Sequence, residues 1–384
     1  MEVKQIYDIV NGATQEMLGE SVLLKEDLSN IVDIGTEVFN ASSVDNYVKT
    51  LVNHIGRVVF VNRKYSGRAP SVLMDAWEYS SVLQKISMEL PEATENESWE
   101  LVDQSSYDPN VFTKPKVSTK FFNKRTTFEI PMSITEMQVK ESFSSPEQLN
   151  GFVSMIYNAI DKSMTVKTDA LIMRTINNMI GETVYTEYGG ANINSKSTVK
   201  AVNLLYLYNQ EYSKSLTAAK ALKDPDFIRY AAYIIGMTAS RLGTISTLFN
   251  IGGKDRFTPS DLLHIVMLAD FKKSADVFLQ SSTFNEEYTK LPNSEVVPYW
   301  QGSGTGYDFA DTGKVYLKTA SGHDETVTGV LCVMFDRDAL GVTNFNRRVT
   351  TNYNPKAEFY NNWYKADAGY FNDFNENFVV FFVA

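Results

Sequence analysis

Apolar side chains recur at Leu149, Phe152, Val153, Ile156, Tyr157, Ile160, Met164 and Leu171. This is the i, i+3, i+4, i+7 spacing that turns one face of a helix toward a core. The opposite face carries Ser154, Asn158, Asp161, Lys162, Thr165 and Asp169. Ser145 is placed to cap such a helix, Pro146 suits its first position and Gln148 would close a capping box. Gly181 is the expected left-handed stop. The pattern predicts one helix over residues 146–180, roughly 50 Å long at 1.5 Å per residue. A compact chain of this length has a radius of gyration of only about 21 Å. The helix would cross almost the whole subunit, which favours a flat, elongated protein built around a spine.

The remaining pattern is more broken. Residues 1–55 read as short helical pieces with Leu18, Leu23, Leu24 and Leu28 as the main apolar positions. They are too divided to form a domain alone and are expected to lie as an arm on neighbouring subunits. Residues 58–61 start a strand that runs to Gly67. Residues 117–122 and 126–130 are strand-like. Beyond the spine, residues 198–222 and 226–244 have helical periodicity, with Asp224-Pro225 as the break. Strands are expected at 262–268, 315–317 and 327–335, and a helix at 270–280. Mixed in this way, residues 191–345 suggest an α+β lobe. The aromatic stretch from Tyr353 to Ala384 closes on a strand at 378–383. That last strand is expected to return beneath the spine and cover its apolar stripe.

Charge adds a second pattern. Glu89, Glu92, Glu95, Glu97, Glu100, Asp103 and Asp108 occur with no basic residue among them. Lys114, Lys116, Lys120, Lys124 and Arg125 then follow before the next acid, Glu129. The region reads as an extended two-stranded excursion, acidic going out and basic returning. An exposed hairpin of this kind is not stable unaided, and a neighbouring subunit is the natural surface for it to lie on. The two charge blocks, Glu89, Glu92, Glu95 and Glu97 against Lys114, Lys116, Lys120, Lys124 and Arg125, are therefore the candidate inter-subunit contacts.

Composition narrows the function classes. With 384 residues, 43% of them hydrophobic, the chain can bury a sizeable core of two or three subdomains. A net charge of −10 argues against a dedicated nucleic-acid binder, though not against a container that encloses DNA. No secretory signal or membrane-length apolar run is visible. Cys332, the single cysteine, lies in an apolar run and reads as a buried thiol. His54, His264 and His323 have no metal-ligand spacing, so no metal or other cofactor is expected. His264 sits in a strand pattern, as a packed histidine would. Gly302-Ser303-Gly304-Thr305-Gly306 lacks the Gly-Lys-Ser/Thr of a phosphate loop and reads as a turn. Asp336-Arg337-Asp338 reads as a solvated strand end. No carboxylate pair or nucleophile stands in a catalytic context, so the protein is not expected to be an enzyme.

Two stretches carry a resemblance. One is Phe128-Glu129-Ile130-Pro131-Met132-Ser133-Ile134-Thr135 followed by residues 143–152, Phe143-Ser144-Ser145-Pro146-Glu147-Gln148-Leu149-Asn150-Gly151-Phe152. The other is Arg347-Arg348-Val349 leading to Trp363-Tyr364 and the Phe-rich end, with Ile55-Gly56-Arg57-Val58-Val59 approaching the hairpin. Together with the order of elements, they resemble the major capsid proteins of tailed bacteriophages, of Hong Kong 97 type, closest in look to those of small short-tailed phages. The resemblance implies an α+β capsid fold with an N-terminal arm (1–55), an E-loop hairpin (56–134), a P domain with the spine helix (135–190), an A domain (191–345) and a return to the P domain (346–384). It also implies self-assembly into hexamers and pentamers around double-stranded DNA. The implied partners are a separate scaffolding protein, a portal protein, a decoration protein and DNA held without sequence-specific contact, with no membrane. Assembly would take place in the host cytoplasm, with little or no removal of the N-terminus, and the product would be the virion capsid. Alternatives are another virion or tail structural protein, a cellular encapsulating shell of the same fold, or an unrecognised hydrolase using His264 or His323.

Overall fold

The computed structural model describes residues 3–18, 69–74, 83–91, 102–106, 108–280, 294–301, 312–319 and 322–384, with residues 25, 30, 32–34, 36, 50, 51, 93, 95, 96 and 99. Its dominant element is longer than the sequence pattern predicts. Among helices α1 (Val3–Leu18), α2 (Glu136–Ser142) and α3 (Pro146–Tyr188), the last has 43 residues, about 65 Å. Ser145 caps it, its hydroxyl accepting from the Gln148 backbone N–H at 3.3 Å. The expected capping box does not close, because the Gln148 carboxamide turns to Ser144 Oγ instead. A complete box forms one helix earlier, between Thr135 and Gln138.

Gly181 is not the stop. The helix runs through it to Gly189, which adopts φ +59° and donates to Tyr185 O at 2.7 Å. The glycine at 181 serves close packing: a Cβ there would overlap the Leu317 side chain of the crossing β8–β9 hairpin (β8 Val315–Lys318, β9 Asp324–Val327).

Two sheets cover the two halves of α3. Over the first half lies a four-stranded sheet in the order β1 (Leu73–Met74), β11 (Leu340–Asn354), β12 (Phe359–Asn372) and β4 (Arg125–Thr135). β12 alternates from Phe359 to Ala366, and Tyr360, Tyr364 and Ala366 are buried with Leu149, Val153, Ile156, Ile160 and Met164 of the spine. Over the second half lies a five-stranded sheet in the order β5 (Ala201–Asn203), β13 (Phe378–Phe382), β10 (Val330–Asp336), β6 (Leu263–Leu268) and β7 (Glu295–Val297). Phe378, Val380 and Phe382 face Ile176, Ile180 and Val184. Their neighbours Val379, Phe381 and Val383 face the other way, toward α4 (Leu204–Tyr212), α6 (Pro225–Leu242) and α7 (Ala269–Gln280). Strands buried on both faces read as unbroken apolar runs, as 330–335 and 378–383 do. The closing strand thus returns beneath the spine as expected, but under its second half only; the β11–β12 hairpin roofs the first.

Four further differences have local causes. Among the described residues of 1–55, the helix α1 has 16 residues, and its Ile9, Val10 and Ala13 pack with Ile34 and Leu51 into the subunit's own spine core. Leu23, Leu24 and Leu28, the expected strand at 58–61 and the glycine loop at 302–306 lie outside the described residues. The expected helix at 198–222 opens as β5, since Asn203 caps α4 by accepting from Tyr206 N, and it breaks before a short α5 (Ala218–Ala221). The expected strand at 327–335 is two strands, separated by the turn at Gly329 with φ +68°. Finally, Asp336 is buried and not solvated, accepting from Thr258 Oγ1 at 2.7 Å and from Asp338 N at 2.9 Å.

Candidate subunit-contact site

The excursion expected from the charge pattern is a two-stranded arm, β2 (Leu83–Met88) paired antiparallel with β3 (Val117–Phe122) from Leu83↔Phe122 to Met88↔Val117. Residues 126–130 do not belong to it. They lie in β4, which pairs with β12 from Arg125↔Gly369 to Thr135↔Phe359.

In the arm, Lys85 stands directly opposite Lys120, a like-charge pair that would normally destabilise a ladder. Here one carboxylate resolves it. Asp373, in the turn after β12, receives Lys85 on Oδ2 and Lys120 on Oδ1, both at 2.9 Å. Lys85 also reaches Glu376 at 3.0 Å and the Asp338 carbonyl at 2.9 Å, and Arg256 meets the other Glu376 oxygen at 3.1 Å. Burial opposes charge on Asp373, yet the hydrogen bonds from Lys120 and Lys85 hold its carboxyl below the usual aspartate range. Burial likewise opposes charge on Lys85, and Asp373 and Glu376 outweigh it, raising the ammonium above its ordinary value. The ring of Phe122 rests 5.2 Å from that of Phe371. The base of the arm is thus bolted to its own subunit.

The nine candidate contact residues divide accordingly. Lys120 is engaged at the base. Glu89 is paired within the chain, with Lys254 at 2.7 Å and Lys116 at 3.8 Å, and the Lys254 hydrogen bond lowers its carboxyl. Lys114, Lys124, Arg125 and Glu95 are exposed. Glu92 and Glu97 lie outside the described residues. The charge pattern missed Lys85, Asp373 and Glu376, which come together only through the fold. It also passed over the apolar tip: Trp99 is 85% exposed, Phe112 83% and Val111 73%. All three lie between β2 and β3, and an aromatic amid acids with no helical or alternating pattern was the available signal.

The remaining candidate residues are packed against aromatic rings or buried. His264 stacks on Phe335 with ring centroids 5.4 Å apart and lies 3.9 Å from the Glu295 carboxylate. Burial opposes charge on Glu295, but His264 and Ser71, which donates to it through its N–H at 2.8 Å, hold it low. His323 stacks on Tyr185 at 5.2 Å. Cys332 is fully buried, which pushes its thiol far up. Among the described residues no group of His, Cys, Asp and Glu is gathered as metal ligands are, and no helix is long and apolar enough to cross a membrane.

No curated protein matches the chain in sequence. Among solved structures, it is similar to the capsid of Staphylococcus phage Andhra (10% identity, TM-score 0.47, 84% of this chain and 86% of that one). It is also similar to the mature capsid of bacteriophage PhiM1 (9%, 0.40, 84% and 87%) and to the capsid of cyanophage P-SCSP1u (9%, 0.41, 84% and 92%). The family model described as Phi29-like phage major capsid protein matches residues 7–382. That match takes in the spine, both sheets and the arm, and the chain belongs to the Phi29-like phage major capsid protein family.

Proposed function

We propose that this capsid subunit tiles hexamers and pentamers of Hong Kong 97 type into a closed head around double-stranded DNA, its β2–β3 arm acting as the E-loop laid over a neighbour. The observation that carries the reading is the division of the arm: a base fixed by Lys85, Lys120 and Asp373, and a tip that leaves Trp99, Val111 and Phe112 in solvent. A part built rigidly at one end and bare at the other is made to be completed by another molecule. In this reading α3 with the four-stranded sheet is the P domain and the five-stranded sheet with α4, α6 and α7 is the A domain. A separate scaffolding protein guides assembly in the host cytoplasm, a portal occupies one vertex, and a decoration protein can bind outside. The net charge of −10 keeps the inner wall from gripping the duplex, whose affinity for proteins comes chiefly from neutralised phosphates. The subunit has a structural role and no catalytic step.

Co-expression with a scaffolding protein, followed by electron microscopy, tests this. The expected product is closed shells with sixfold and fivefold capsomers. Tubes, spikes or a permanently monomeric protein would refute it.

A further inference from the structure

Among the described residues Lys85, Lys116, Lys120, Lys254 and Arg256 are paired with carboxylates of the chain, whereas three cations around one groove are not. Lys124 at the β3–β4 turn, Arg174 and Lys318 surround a cavity of about 300 Å³ where the spine helix, β8 and the end of β12 meet. All three are exposed, and among the described residues none is paired with a carboxylate. The Arg174 guanidinium lies over the Tyr370 ring, 5.7 Å from its centroid. Phe121, 64% exposed, forms the outer lip, and Glu182 also lines the wall. The groove therefore offers excess positive charge around an aromatic floor.

The arm's tip offers the complement. Glu95, Asp103 and Asp108 are exposed and make no ion pair among the described residues, Asp108 accepting only from Asn110 N at 2.9 Å, and the exposed aromatic side chains Trp99 and Phe112 lie in the same stretch. A tip cannot easily fill its own groove: β3 starts at Val117 on the tip side and reaches the groove only at Phe121 and Phe122. The strand directs the tip away by its six-residue length, close to 20 Å.

Resting on the shell reading, we infer that the Lys124–Arg174–Lys318 groove is the receiving site for the acidic, aromatic arm tip of a second copy of this chain. Glu95, Asp103 and Asp108 would meet the three cations, and Trp99 or Phe112 would enter the aromatic floor. Complementary charge of this kind sets register and partner choice between subunits more than raw affinity. A nucleic-acid backbone is the competing occupant for a cationic, aromatic groove. The subunit's overall acidity and the matching acidic tip favour the protein occupant.

The test is charge exchange in the full chain, co-expressed with its head proteins. Reversing the groove (Lys124→Glu, Arg174→Glu, Lys318→Glu) or the tip (Glu95→Lys, Asp103→Lys, Asp108→Lys) should each cut the yield of closed particles at least about tenfold. Combining both sets should restore most of it. A misfolded groove variant could not be rescued by changes in a different segment. Unchanged yield in the single sets, or no rescue in the combination, overturns the proposal. Normal shell yield with reduced DNA content in the groove variant assigns the groove to nucleic acid and overturns it too. An independent check is Trp99→Cys with Phe121→Cys, Cys332 being fully buried. Oxidation should give a ladder of covalent oligomers; intrachain bonding only, or none, counts against the groove. If the unaltered chain forms no closed particles the shell reading itself fails, and the same oxidation on soluble subunits then decides the groove contact separately.

Discussion

Gly181 shows how one atom decides a contact between distant segments. A glycine inside a helix costs about 1 kcal/mol relative to alanine, so its presence in the spine needs a reason. The reason is Leu317, which occupies the space a Cβ would take. Forcing a methyl into a filled core typically costs about 1–3 kcal/mol, more than the helix gains. Gly181→Ala should therefore lower stability by about 1 kcal/mol, read from the denaturant midpoint of the soluble subunit. Leu317→Ala would itself be destabilising, but in that background Gly181→Ala should reverse sign and add about 1 kcal/mol through helix propensity. An additive double variant would show that the two sites do not touch. The same residue explains a failure of sequence reading: a left-handed stop and a packing notch are both written Gly, and only Leu317, far along the chain, tells them apart.

The arm is the element whose stability is most conditional. Two strands alone are marginal in water, and the pair of lysines on Asp373 ties them to the rest of the subunit. Removing Lys85 leaves Glu376 to Arg256 and Asp373 to Lys120; a lost charge-assisted contact at this half-buried site costs about 1–2 kcal/mol. Opening of the arm should then rise about 5- to 30-fold, seen as faster proteolysis within residues 91–115 of Lys85→Ala while the thermal midpoint of the core stays put. Acid should do the same to the unaltered chain. Asp373 has a folded value below its ordinary 3.8, so its contribution is complete above that range and is lost as pH falls through the depressed value. Pepsin should cut the arm much faster near pH 3 than near about pH 4.5, whereas Lys85→Ala with Lys120→Ala should already be fast at the higher pH. Equal rates for both proteins would remove the clamp from the account. The strands β3, β6, β10 and β13 were legible because apolar runs and alternation are local signals. β12 went unassigned although Tyr360, Tyr364 and Ala366 alternate, because aromatic density masked the period. Half of the clamp was invisible for a stronger reason: Lys85 and Asp373 are 288 positions apart, and only the turn after β12 brings them together.

At the scale of the molecule, the subunit joins a rigid interior to an unfinished surface. The spine is covered along both halves by the chain's own sheets, so the fold does not need a neighbour to bury it; in the proposed shell the arm tip does. An indole 85% exposed in the isolated subunit is an energetic reserve: covering a large apolar side chain stabilises by about 1.5–3 kcal/mol. In the proposed shell a contact of that size would be weak enough to break during error correction and would be repeated at every neighbour. It follows that Trp99 should change environment when particles form. Its emission should shift to the blue and resist acrylamide quenching in shells but not in free subunits, and the difference should vanish in Trp99→Phe. Trp99→Ala should raise the subunit concentration needed for assembly by about 10- to 100-fold without moving the thermal midpoint of the free subunit, since the side chain is bare there. If Trp99 stays equally quenchable in closed particles, the tip does not supply the contact that holds neighbours together. The shell's cohesion must then come from the faces of the spine and sheets instead.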